Sequence, residues 1–127
     1  MTEKVNTYFT PDAYVSEIRL DVNEEVLERI YKSDVSAQSR LPIEFFYVSD
    51  REEKLKALGL YLMEKLPDYS SFKIGPYEDV LQLAGETAPI QMELGAINEW
   101  NKMMWDLGYA FDCKLDGWQV ESKAPHS

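Results

Sequence analysis

The spacing of apolar positions changes repeatedly along this chain, and each change marks an element boundary. Val26, Leu27, Ile30 and Tyr31 share one helical face, behind Glu24 and Glu25, which suit the positive end of a helix dipole. This predicts a short helix over 24–32, with Asn23 as its N-cap and Lys32 at its negative end. A polar loop opens at Ser33-Asp34 and runs to Ser39. Ile43 to Val48 is β-branched and aromatic and reads as a strand, with Pro42 tolerated at its leading edge. Ser49 to Glu53 then reads as a helix start, because Ser49 with Glu52, or Asp50 with Glu53, has capping-box spacing. Leu55, Leu58, Leu62 and Leu66 fall on one face of that helix, and Pro67 ends it.

Ser70 to Gly75 is expected as a strand with Phe72 and Ile74 on one side, closed by a turn at Gly75-Pro76. Val80, Leu81, Leu83 and Ala84 make a further strand ending near Gly85, so the two form a hairpin with a loop of several residues. From Glu93 the helical period returns in Leu94, Ile97, Trp100, Met104 and Leu107, and Gly108 is placed for a left-handed C′ position. Tyr109 to Leu115 is expected as the last strand, bent or turned at Asp116-Gly117 before Trp118 and Val120. Residues 1–20 predict only a turn at Pro11-Asp12 and a short extended piece holding Tyr14, Ile18 and Leu20.

The order is therefore α-β-α-β-β-α-β, and its β-α-β-β-α-β core is the ferredoxin-like split motif. The expectation is an α+β sandwich: one antiparallel sheet, two long helices on one face, a less covered second face, and a short N-terminal helix. Right-handed crossovers give strand order 4-1-3-2. The chain divides into an N-terminal extension (1–20), a domain (21–121) and a tail (122–127).

At 127 residues, 45% of them apolar, the chain suits one domain with a substantial core. No apolar run approaches the roughly 20 residues of a membrane span. The N-terminus has no signal-peptide pattern, and Cys113 is the only cysteine, so a cytosolic protein without disulfides is the simplest reading. Acidic residues outnumber basic ones 23 to 13, for a formal charge of −10. That field repels phosphate backbones, which argues against direct nucleic-acid binding, and it is compatible with a basic protein partner or with solubility alone.

Candidate chemistry is sparse. His126 is the single histidine and falls in the tail, so Ser-His or Cys-His catalysis has no held base. Cys113, in a predicted strand, reads as a small buried apolar residue, and a structural zinc site lacks ligands. Glu44, Asp79, Glu86 and Asp112 flank or fall within strands; solvation is the simpler account of them than a metal or acid–base pair. No phosphate-cradling glycine motif is present. The expectation is no catalytic residue, no cofactor and no metal. Trp100 lies on the apolar stripe and reads as core. Trp105, off the stripe, either covers the helix edge or anchors a partner. Trp118 packs over the sheet end or serves binding; Asp116 shapes a turn, and Gly117 supplies a backbone angle other residues resist. Arg40 pairs with a carboxylate or meets a partner. Arg40, Trp105, Asp116 and Trp118 are the candidate partner-binding residues.

Several of these residues together resemble the ribonuclease E inhibitor family, regulator of ribonuclease activity B. They are Ser33-Asp34 before the first strand, Ile43-Glu44-Phe45-Phe46 ahead of Asp50-Arg51-Glu52-Glu53, the second long helix, from Glu93, and above all the Phe-Asp-x-x-x-Asp-Gly-Trp ending, Phe111-Asp112 with Asp116-Gly117-Trp118. The resemblance covers about residues 24–121. It implies a ferredoxin-like fold and a non-enzymatic role: binding ribonuclease E and lowering its activity toward RNA. Two departures stand out. The family's best-known member has a long acidic C-terminal tail, which residues 119–127 do not reproduce, and it has no equivalent of segment 1–20. The resemblance therefore carries the fold further than the partner. An immunity-type protein that neutralises a toxin, or a small-ligand binder using an open sheet face, are the alternative functions.

Overall fold

The computed structural model describes residues 6–120. Along the chain these form α1 (Pro11–Ser16), α2 (Val22–Ile30), β1 (Arg40–Leu41), β2 (Glu44–Ser49), α3 (Glu52–Lys65), β3 (Ser70–Tyr77), β4 (Val80–Glu86), β5 (Ile90–Gln91), α4 (Leu94–Ala110) and β6 (Lys114–Gln119). His126, the tail 122–127 and the first five residues of the extension lie outside the described residues.

Four strands make one sheet in the order β3-β4-β2-β6, every neighbouring pair antiparallel. Numbered along the chain, those strands read 4-1-3-2 from the β6 edge. The minor pair, β1 with β5, is a separate antiparallel ribbon that the residue pattern does not announce. It is held by backbone bonds from Met92 to Ser39 and between Thr87 and Ile43.

Alternation along β2 sends Phe45 and Tyr47 toward the helices, where they meet Leu83 of β4 and Leu115 of β6. From α3, Leu55, Leu58 and Leu62 are fully buried, and from α4, Ile97, Trp100 and Met104 are buried. The Tyr47 hydroxyl donates to the Met104 carbonyl at 2.7 Å, joining the sheet centre to α4. Glu93 caps α4 by accepting from the backbone N–H groups of Gly95 and Ala96.

Several local expectations are corrected. Asn23 is not an N-cap: α2 begins after Asp21, and Asn23 is buried inside the fold. Neither capping box forms at α3, whose N-cap is Arg51 without a side-chain bond. Gly75-Pro76 does not turn. Both lie within β3, where proline's missing N–H costs no ladder bond because β3 is an edge strand. The turn is the two-residue Glu78-Asp79 link, with Glu78 left-handed at φ 55°. The helix of α4 continues through Tyr109 and Ala110, so the last strand starts at Lys114. The left-handed residue after α4 is Asp112, at φ 60°, and not Gly108.

Of the bend or turn expected at Asp116-Gly117, the chain makes no turn but carries an irregularity within the strand. Phe46 faces Gly117 while Tyr47 faces Leu115, so Asp116 is the extra residue of a bulge within β6. Gly117 has no positive φ, and a Cβ there would meet open space. Pro11-Asp12 is not a turn and Tyr14 is not extended: both fall in α1, with the proline in the first turn of the helix, where its missing N–H costs no bond. Residues 6–18 do not stand apart from the domain. They lie against α4 and the start of β6, with Phe9 at 0% exposure in the core.

Candidate functional site

The segment 6–9 enters the domain through one carboxylate. Asp112 accepts from three consecutive backbone N–H groups, those of Thr7 (2.8 Å), Tyr8 (3.0 Å) and Phe9 (2.6 Å). The left-handed turn after α4 aims this side chain back under the segment, a conformation aspartate tolerates better than most residues. Lys54 of α3 completes the socket, 2.5 Å from Asp112 and 2.9 Å from Asp50, and it also donates to the Thr7 hydroxyl. Ser49 donates to the Asp112 backbone carbonyl at 2.7 Å. Burial pushes the Asp112 carboxyl up, but the Lys54 ammonium and the three N–H donors outweigh it and hold the group below the ordinary aspartate value. Asp50 is likewise held low, against its own partial burial, by Lys54 and Thr7. Beside this network lies an open cleft of about 650 Å³ walled by Thr7, Asp50, Arg51, Lys54, Phe111 and Asp112.

Phe9 packs edge-on to Trp105 (4.7 Å between ring centres) and to Tyr109 (5.3 Å). Trp105 is only 4% exposed, and its indole N–H donates to the Tyr14 carbonyl at 3.0 Å. Trp105 thus lies at the helix edge beneath Phe9 and Tyr14 and is not exposed. Tyr14 stacks at a tilt on Tyr109 and donates to Asp106, which Lys102 also reaches.

A second constellation joins α2, α4 and β6. The buried Asn23 amide donates to Asn98 (2.9 Å) and Asn101 (3.1 Å), and its oxygen accepts from the Trp118 indole N–H (3.1 Å). Trp118 stands edge-on to Trp100 at 6.2 Å. The tryptophan of the Asp-Gly-Trp ending is thus tied into the helical layer, as a residue closing the sheet end should be. A shallow cleft of about 240 Å³ lies over it, lined by Glu17, Arg19, Trp105, Lys114, Asp116 and Trp118 among others. Three of the four candidate partner-binding residues therefore share one depression. Arg40 is elsewhere, exposed on the β1–β5 ribbon, and makes no ion pair among the described residues.

The other chemical candidates resolve simply. Glu44 and Glu86 face each other across β2 and β4, and Gln119 donates to Glu44 at 2.7 Å. Asp79 sits in the exposed hairpin turn. Among the described residues, no group of three or more His, Cys, Asp or Glu is arranged to hold a metal ion. Cys113 is fully buried, and burial pushes its thiol from 9.0 up to about 12. A thiol held protonated is a poor nucleophile. At mildly alkaline pH, folded protein is expected to react with an aromatic disulfide reagent at least ~100-fold more slowly than denatured protein, as followed by thiolate release.

A model of the family described as regulator of ribonuclease activity B matches residues 20–120. This chain belongs to that family. A comparison with curated protein sequences returns no match. The matched span holds the whole sheet, α2 to α4, and the Trp118 constellation, whereas residues 6–19, which include the three backbone donors to Asp112, lie before it. The family is described as a regulator of ribonuclease activity.

Sequence reasoning singled out Asp112 and Trp118 but missed what they hold. Lys54 had a legible signal, its i,i+4 spacing from Asp50. Phe9 and Asn23 had none, since the partner of Phe9 lies 103 residues away and that of Asn23 lies 75 residues away.

Proposed function

We propose that this chain binds a ribonuclease as its protein partner and lowers that enzyme's activity by contact, with ribonuclease E as the specific target. The family match over residues 20–120 carries this reading. The charge supports it: at −10 the chain repels RNA and favours a basic protein surface. The contact surface proposed is the depression around Trp118 and Asp116, with Trp105 at its edge and Arg40 as a separate contact. The strand order and the pair of long helices support a ferredoxin-like domain as the scaffold. The site of action is the cytoplasm; among the described residues no helix is long and apolar enough to cross a membrane.

The test is a cleavage assay with purified ribonuclease E and a fluorescent RNA, with and without this chain. Cleavage is expected to slow with increasing chain. The effect should shrink as salt rises from about 0.1 to 1 M, where the screening length falls from ~10 to ~3 Å. Unchanged cleavage together with no complex by sedimentation would sink the proposal.

A further inference from the structure

Residues 6–18 are attached to the rest of the fold only through side chains, and they lie outside its sheet. Among the described residues, no backbone–backbone hydrogen bond runs from this segment to the rest of the domain; its own such bonds, Tyr14 to Thr10 and Glu17 to Ala13, are local. All cross-ties use side chains. One end is held by the Asp112 carboxylate and by Asn6 donating to the Tyr109 carbonyl at 2.9 Å. The middle is held by Phe9 in its pocket and by the Trp105 indole on Tyr14. The far end is held by surface ion pairs, Glu17 with Lys114 and the Lys102–Asp106–Tyr14 group, contacts of a kind that contribute little when solvated. α1 itself buries no residue. The span that matches the family begins after this segment and contains the complete sheet and both long helices.

A piece of chain tied only through side chains, anchored chiefly by the Asp112 carboxylate and the Phe9 ring, and contributing nothing to the sheet, has the construction of a strap. We propose that residues 6–18 open and close as a unit over the Trp105 side of α4 while the remaining domain stays folded, and that the closed strap covers part of the partner-binding depression. The second half of that statement rests on the protein-binding function proposed above. Opening removes Phe9 from Trp105, frees the Trp105 indole N–H, and withdraws Glu17, one wall of the depression over Trp118. The aromatic face so uncovered, Trp105 with Tyr109, is the kind of surface that anchors a protein partner. The closed strap therefore acts as an internal competitor.

Hydrogen exchange on the full chain tests the first half. Amides of residues 7–18 are expected to exchange together, at least ~100-fold less protected than those of β2 and β4. Protection equal to that of β2 would overturn the strap, since the segment would then leave only by global unfolding. Hydroxyl-radical footprinting of Phe9→Ala and Asp112→Asn supplies the second readout. Oxidation of Trp105 should rise about tenfold with Trp100, on the same helix, unchanged. A joint rise of both tryptophans, or of neither, would overturn it. Binding of ribonuclease E to Phe9→Ala then tests the covering: tighter binding than the parent chain supports it, and equal or weaker binding overturns it. Absence of binding by either chain removes the proposed function and the covering together, while the exchange and footprinting results still decide the strap.

Discussion

Replacing Gly108 with alanine is expected to destabilise the domain by about 3 kcal/mol, the largest effect of any single added methyl in this fold. A Cβ at this position would stand 2.3 Å from the Cys113 backbone carbonyl oxygen and 2.7 Å from the Tyr47 ring. Neither neighbour can yield cheaply. The Gly108 carbonyl accepts from the N–H groups of both Phe111 and Cys113, so the turn that carries the Cys113 oxygen is fixed to the helix end. Tyr47 is fully buried, with its hydroxyl tied to Met104 about one turn before Gly108 on α4. Alanine is intrinsically the better helix former, by roughly 1 kcal/mol, so propensity alone predicts a gain. Urea unfolding decides between the two: a midpoint at or above that of the parent chain would show that close approach does not govern this position.

Asp112→Ala is the second large effect, also about 3 kcal/mol. The substitution leaves three backbone N–H groups and the Lys54 ammonium without their shared acceptor, and puts alanine in a left-handed conformation it resists. Because the lost contacts are those that dock residues 6–18, the urea m-value should fall along with the midpoint, as less surface remains to be exposed on unfolding. Asp112→Asn retains one acceptor oxygen and a residue type tolerant of the left-handed region, so its midpoint should lie between those of Asp112→Ala and the parent. An unchanged m-value in Asp112→Ala would show that the segment stays docked without the carboxylate.

Acid should reproduce part of this effect. Asp112 and Asp50 are both held below the ordinary aspartate value of 3.8 in the folded state. A group depressed on folding contributes stability that is complete above its unfolded value and is lost as pH falls through the folded one. The loss is therefore expected below about pH 4, and it should be smaller in Asp112→Asn. Lys54 is shifted the other way: burial lowers it, but Asp112 and Asp50 raise it further, above 10.5. Its contribution is complete below the unfolded value and disappears only as pH rises through the folded one. The network is thus intact across the neutral range, and unfolding midpoints measured from acid to neutral pH check the window.

The reading of α3 from its leucines survived because one face of an isolated helix is a local property. Leu55, Leu58 and Leu62 are spaced to meet a sheet, and they do. The boundaries around α4 failed for the opposite reason. Tyr109 and Phe111 favour a strand by residue type, yet Tyr109 remains helical, with Phe9 packed on its ring and Asn6 on its carbonyl. Gly75-Pro76 has the composition of a turn but sits in an edge strand, where nothing on the outer side needs the proline N–H. Trp105 was open to two readings because what covers it, residues 9–14, carries no periodic signal of its own.

By itself the order of amino acids determined the four main strands and the helices α2 to α4 in outline, which of their faces are apolar, and that the ending from Phe111 to Trp118 matters. Those properties follow from neighbours three to eight residues apart. Only the tertiary structure decided that Asp112 grips Thr7, Tyr8 and Phe9, that Asn23 links α2 to Trp118, and that Trp105 is covered. Each of those contacts joins residues far apart in the chain and depends on the sheet and α4 first being in place, so no local pattern records it.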